Sequence, residues 1–404
     1  MNTKQQIAID KYIAKPIAFF SNFIVRALGQ VLSIDHNLNK EFKVVAISKF
    51  KGMGSILQAT PMIAAIKRKN PNTEIIFIST KPNYTILSKI DSIDTIITVD
   101  DSNLYQFVRS NIIALAKLIR KRPEVYFDLE IYSDYSTLFA LFSLSVNRIG
   151  FYLRSSSFRM GIYTHMMFFN PRVPISKVYL QLTKLIGCDT EDLEIYPLMV
   201  GTKQRPKRAR KHIVINPNSS DLRLERRWPQ KSFIGLVQAL LEGFPEFDIL
   251  LIGGKGEETD YTEEIAVEIN NDRVISLAGK TSLEDLTSII NDATLMVTND
   301  TGPMHIAFCV KTPVVCLFGP CSPDQYGLGK FAHIIYKKTY CSPCIHDFEV
   351  APCNGDNVCM KLIEVNEVYS KVSELLSTEN PENMQQESNF IYTELNNVFG
   401  RVNR

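Results

Sequence analysis

No stretch of the 404-residue sequence approaches the roughly 20 consecutive apolar residues that a membrane-spanning helix needs. Charge of one sign is equally scarce. The 45 Lys and Arg are matched by 43 Asp and Glu, a net charge of +2, which excludes a dedicated nucleic-acid binder and leaves any charged ligand to local patches. Eight cysteines, irregularly spaced in so long a chain, do not make a disulfide framework, and a reducing, cytoplasmic setting fits them. The segment KYIAKPIAFFSNFIVRALGQVL is too interrupted by polar residues for a signal peptide and lacks a small-residue cleavage site. No internal repeat closes at a short period.

What is present is enough apolar sequence, 45% of residues, to build more than one core. Near the start, at about 100° per residue, Ile13, Ile17, Phe20, Ile24, Leu28 and Val31 share one side of a helix, while Lys15, Asn22 and Arg26 share the other. This is a basic amphipathic helix that starts or kinks at Pro16. Two placements stand open: packed on the protein's own surface, or lying in the headgroup layer of an anionic membrane.

From Phe42 the apolar runs FKVVAIS, TEIIFIS, DTIITVD and VYFDLEI read as strands, with helical patterns such as Ser55–Lys69 and Leu104–Arg120 between them. The rhythm is that of a parallel, doubly wound sheet. It halts at GTKQRPKRARKH, where six of the nine residues from Lys203 to Lys211 are basic, and restarts with HIVINP, FDILLIGG, RVISLAG, ATLMVTND and TPVVCLFGP. The expected organisation is an N-terminal extension over 1–41, a Rossmann-like domain over 42–200, a basic linker over 201–211, a second Rossmann-like domain over 212–377, and a polar tail over 378–404. The first sheet begins at Phe42 and should pair without the chain before it. Two such domains facing a central cleft would place ligand loops on both walls.

The densest chemistry is in VTNDTGPMHIA. A strand ends at Val297, Asn299, Asp300 and Thr301 supply cap-type side chains, Gly302 lets backbone approach a ligand, and Pro303 suits a first helical turn. Such a turn aims free N–H groups and a helix dipole at an anion, a diphosphate being the natural size. Asp300, a carboxylate, suits a capping role or a ligand hydroxyl. His305 can meet a phosphate or sugar oxygen or sit satisfied in the core. Cys341, Cys344, Cys353 and Cys359 follow, with spacings open to a structural zinc, to reduced thiols or to a disulfide. Cys309 and Cys316 read as core.

TNDTGPMHIAFCVKTPVVCLFGPCSPDQYG resembles the signature of the ADP-heptose:lipopolysaccharide heptosyltransferases, glycosyltransferase family 9. INPNSSDLRLERRWPQKSF and LLIGGKGEE are similar to two further family segments, and KGMGSILQATPMIAAIKRKNPNTEIIFI resembles the family's opening segment. The resemblance covers about 42–376. It implies a GT-B fold and transfer of a sugar, ADP-heptose being the family's usual donor, from a nucleotide diphosphate sugar to a hydroxyl of a lipid-linked saccharide with inversion. No cofactor or metal is implied for transfer. Thr301 and Gly302 would cradle the diphosphate, Ser219 and Ser220 would bond phosphate oxygens, Arg226 would offset charge on the departing diphosphate, and Glu257 or Glu258 would hold the ribose. Trp228 reads as packing.

One position departs from the family. Where it carries an Asp as base, this chain has Ser55, and a hydroxyl is no base unaided. Glu130 and Asp134 in VYFDLEIYSDYST are the candidate replacements. A chain that kept the nucleotide site and lost the base would be a binding scaffold, and a GT-B nucleotide-sugar epimerase is the other alternative. The setting implied is the cytoplasm, with an anionic inner-membrane surface as a partner of the N-terminal helix.

Overall fold

The computed structural model describes residues 3–191, 193, 210–219, 223–327, 329, 331–345, 348, 351–377 and 398–399. The described residues sort into two compact units, within Met1–Pro171, Ile175–Tyr196 and Ile391–Arg404 for the first and within Arg172–Pro174 and Pro197–Phe390 for the second. Ser220, the basic run 201–209 and most of the polar tail lie outside the described residues.

In the first unit, β1 (Val44–Ser48), β2 (Glu74–Thr80), β3 (Thr95–Val99), β4 (Val125–Asp128), β5 (Asn147–Tyr152) and β6 (His165–Phe168) form a parallel sheet in the order β6-β5-β4-β1-β2-β3. The short strand β13 (Val398–Phe399) adds antiparallel to β6. All four residues of β4 are buried, as expected for a central parallel strand covered on both faces. Ala46, Ile76, Ile78 and Tyr126 pack with Leu118 and Phe139 from the helices Leu104–Lys121 and Asp134–Phe142.

The second unit repeats the plan. Its strands β7 (Lys211–Asn216), β8 (Phe247–Leu251), β9 (Val274–Ser276), β10 (Leu295–Asn299), β11 (Val314–Phe318) and β12 (Ala332–Tyr336) are all parallel, in the order β12-β11-β10-β7-β8-β9. Trp228 is wholly buried there, edge-on to Phe233 at 5.0 Å, and its indole N–H donates to the Ile363 carbonyl at 3.0 Å. It is packing, with its one polar atom satisfied. In each unit the chain winds outward in both directions from the first strand. The reversal points lie between β1 and β4 and between β7 and β10, where open sheets of this kind leave room for a ligand past the strand ends.

Four strands, β5, β6, β12 and the short β13, were absent from the sequence reading. In β5 the apolar run is broken by Asn147, Arg148 and Gly150, and the glycine is required because a Cβ there would stand 2.8 Å from the Tyr163 ring. The single helix expected over Ser55–Lys69 is two, Met53–Leu57 and Thr60–Lys69. Pro61 explains the break: it has no N–H to continue the earlier helix and begins the next.

The N-terminal helix Lys15–Leu32 continues from a π-helical turn, Asp10–Ala14, and packs on the helix Asp134–Phe142 and the turn Arg154–Arg159. It is seated by the side expected to be polar. Ala18 and Asn22 are its buried residues, continuing from Ala14 in the turn before it, and the Arg26 guanidinium donates to the Met160 carbonyl, Nε at 2.9 Å. Gly161, at φ +133°, admits this approach, since a Cβ would collide with Asn22 Oδ1. Asp10 accepts from Ser133 Oγ at 2.9 Å and from the backbone N–H of Asp134 and Tyr135 at 3.1 and 2.8 Å, serving the open end of the neighbouring helix. The apolar side of Lys15–Leu32 is therefore not packed on the unit's own surface.

Candidate functional site

Chemistry-bearing side chains gather at both strand reversals. In the second unit, Thr301 is the N-cap of the helix Gly302–Val310, with extended backbone and no side-chain cap bond. Its hydroxyl is instead held by Asn216 Nδ2 from the end of β7, at 2.8 Å, and the same amide donates to Thr298 Oγ1 at 3.1 Å. Pro303 has no N–H and the Met304 N–H donates to the Thr301 carbonyl at 3.2 Å, so the Gly302 N–H, backed by the helix dipole, is the first-turn donor an anion would meet. Asn299 ties the neighbouring loop down, donating to the carbonyls of Pro217 and Asn218 at 3.1 and 3.0 Å and accepting from Trp228 N at 3.0 Å.

Above this turn lies Arg226. Its Nη1 is 3.6 Å from Asp300 Oδ2, its side chain is 23% exposed, and its Nε is buried with no hydrogen-bond partner. Asp300 Oδ2 is also buried without a hydrogen bond, so the pair is near but unsatisfied. Burial pushes against the Arg226 charge, but the acidic neighbours Cys321 and Asp300 hold its pKa above the usual arginine value. Asp300 thus faces Arg226 rather than capping the helix. His305, on the helix, is buried edge-on to Phe308 at 5.6 Å. Burial, aided by Arg226 and opposed by Asp300, drives its pKa down to about 4, so it is a neutral imidazole near neutral pH.

Ser219 is buried, with Oγ 3.4 Å from the Arg223 carbonyl. Glu258 accepts from Gly254 N at 2.6 Å and so closes its own loop, whereas Glu257 beside it is exposed in the first turn of the helix Glu257–Ile269. Cys341, Cys344, Cys353 and Cys359 are free thiols, as are the other four cysteines. Among the described residues no group of three or more His, Cys, Asp or Glu is placed to hold a metal ion.

In the first unit, Ser55 is half-buried on the short helix after β1 and hydrogen-bonds Tyr179. Glu130 sits past the end of β4, and neither of its oxygens is free. Oε2 takes Lys49 Nζ at 2.7 Å and Oε1 takes the backbone N–H of Phe50 and Lys51 at 2.8 and 2.9 Å. Burial works to raise its pKa, but Lys49 and these donors outweigh it and leave the carboxyl below its ordinary value. The geometry is that of a clamp on the loop leading to Ser55. Asp134 differs. Its Oδ1 accepts from Arg159 Nε and Nη2 at 3.1 and 2.9 Å, and burial, against the pull of Arg159, raises its pKa.

Sequence reasoning passed over Asp128. It is fully buried at the end of β4, accepting from Tyr163 Oη at 2.6 Å, Ser48 Oγ at 3.2 Å and Glu130 N at 2.9 Å. Burial raises its pKa from 3.8 to about 6. The folded state therefore binds more protons than the unfolded state between those values, so this group's contribution to stability falls as pH rises through that window. Urea unfolding at about pH 5 and pH 7 is expected to show greater stability at the lower pH, and Asp128→Asn should flatten the difference. An unchanged slope in that variant would assign the effect elsewhere.

Residues 184–353 match the family model for glycosyltransferase family 9 (heptosyltransferase). Over that segment, 170 of its 404 residues, the chain is similar to this family. The lipopolysaccharide heptosyltransferase 1 of Campylobacter coli is 24% identical to it over 296 residues, 68% of this chain and 83% of that protein. The lipooligosaccharide heptosyltransferase 2 of Haemophilus influenzae is 33% identical over 103 residues, only 24% of this chain and 29% of that protein. In fold, the chain is similar to the solved Escherichia coli ADP-heptose lipopolysaccharide heptosyltransferase II, with a TM-score of 0.67 and 20% identity over 83% of this chain and 98% of that one. The GT-B architecture expected from the sequence is that of this solved neighbour, and the chain is a glycosyltransferase.

Proposed function

We propose that this enzyme is a family 9 glycosyltransferase that transfers a heptose from ADP-heptose to a saccharide of a lipid-linked envelope glycan such as lipopolysaccharide, at the cytoplasmic face of a membrane. The observation that carries the reading is the half-buried Arg226, whose Nε is buried without a partner, set beside the uncapped start of the helix Gly302–Val310. A diphosphate supplies what both lack: oxygens for the guanidinium and an anion for the Gly302 N–H and the helix dipole. The names of the relatives, lipopolysaccharide and lipooligosaccharide heptosyltransferases, support the sugar and the acceptor class.

In this reading Thr301 and Gly302 cradle the diphosphate with backbone, and Ser219, with Ser220, bonds phosphate oxygens. Arg226 offsets the charge that grows as the anomeric C–O bond breaks and the diphosphate departs with the electron pair. Glu257 takes the ribose, since Glu258 is engaged with its own loop. An acceptor hydroxyl forms the new bond from the opposite side and gives up its proton. Asp134, with its raised pKa, is the base that fits; Glu130, held ionised by Lys49, is the weaker proton acceptor.

Calorimetry with ADP tests the donor site. Arg226→Ala should weaken binding by roughly 1.5–3 kcal/mol, a factor of about 10 to 150. Undiminished ADP affinity would remove Arg226 from the site. ADP release from ADP-heptose that does not depend on added acceptor would overturn the transfer itself.

A further inference from the structure

The helix Lys15–Leu32 is fixed to the first unit along a narrow seam of small and polar residues. Its large apolar side chains point the other way. Phe20, Phe23 and Val31 are 67%, 74% and 79% exposed, and Ile17, Ile24 and Leu28 are exposed beside them. At about 100° per residue these six span roughly 140° of the surface opposite the Ala18 seam, and no polar side chain falls within that arc. A globular protein does not leave such a face in water without a use for it.

We propose that this face is a seat for a lipid bilayer bearing anionic headgroups, so that the helix lies in the interface with the first unit held above it. The proposal rests on the reading that the acceptor is lipid-linked, and adds the surface by which the enzyme reaches it. The length fits the role: 18 residues make a rod of about 27 Å, and no described helix is long and apolar enough to cross a membrane. Charge fits as well. Residues 1–40 carry five Lys or Arg and two Asp, and Lys11 and Lys15 are exposed at the start of the helix.

A second copy of the chain is the other occupant such a face could take. Two-fold pairing through it would bring together two segments of like net charge at a contact without a hydrogen bond at its centre, whereas anionic headgroups would offset that charge. The seating is rigid by construction. Arg26 is tied to the Met160 carbonyl, Asn22 is pressed against Gly161 and Asp10 bonds the next helix, so the apolar face is presented rather than loosely tethered.

Sedimentation of the full chain with vesicles of phosphatidylethanolamine and phosphatidylglycerol tests this directly. The wild-type chain should bind, and added salt should weaken binding without abolishing it. Phe20→Ser with Phe23→Ser should reduce vesicle binding on the order of tenfold or more, because burial of exposed aromatic area is removed. Both positions are exposed, so the melting temperature and ADP affinity of the variant should match the wild type. Wild-type chain that stays in the supernatant, or a variant that binds vesicles equally well, overturns the proposal. So does a wild-type dimer in light scattering that the substitutions convert to monomer with no vesicle binding in either. Vesicle binding requires no turnover, so loss of the transferase reading through absent ADP release would be seen separately.

Discussion

Glu130→Gln is expected to destabilise the first unit by about 3 kcal/mol or more. The substituted side chain can still offer one oxygen to the N–H groups of Phe50 and Lys51, but its amide then faces Lys49, a cation without an anion in a buried site. Chemical denaturation at neutral pH reads the effect. In the wild type the sign of the pH response follows from the lowered carboxyl: the stabilisation is complete above the ordinary Glu range and is lost as pH falls through the folded value beneath it. Turnover should fall with the loosened loop. A variant as stable as the wild type but inactive would reverse the assignment and make Glu130 the base.

Asp134→Asn should lower turnover by about two to four orders of magnitude with ADP affinity retained. Asn keeps an oxygen for Arg159, which limits the structural damage, yet it cannot take a proton. Measuring kcat and ADP binding together separates chemistry from folding, because the residues proposed to hold ADP belong to the other unit. Retained turnover would dismiss Asp134 as the proton acceptor and leave the base to be sought elsewhere.

The parts of the fold legible in the sequence were those encoded by contiguous patterns. VVAIS, EIIFIST and LMVTN are strands because buried parallel strands need apolar side chains on both faces. Helix starts were legible where Pro and small polar residues marked them, as at Thr301-Gly302-Pro303. Partnerships between distant residues were not. Nothing local in LERRWP indicates that Arg226 lies against Asp300, 74 positions later, and nothing in VYFDLEI indicates that Asp128 would be sealed beneath Tyr163 while Glu130 closes on Lys49. The amphipathic pattern of Lys15–Leu32 identified the helix, but which side meets the protein was decided by Gly161 and Met160, more than 130 residues away.

Asp10 changes what the first 40 residues are. Every strand of the first sheet lies beyond them, so by pairing alone they could be dispensed with. Yet the helix that begins at Asp134 borrows its terminal acceptor from this segment, where Asp10 receives three donors in one place. Cutting the segment away would leave those donors and the surface around Gly161 to solvent. The residue proposed to take the acceptor's proton would then stand at a frayed helix end, so a shortened chain could keep its sheet and its nucleotide and still have lost the geometry of its chemistry.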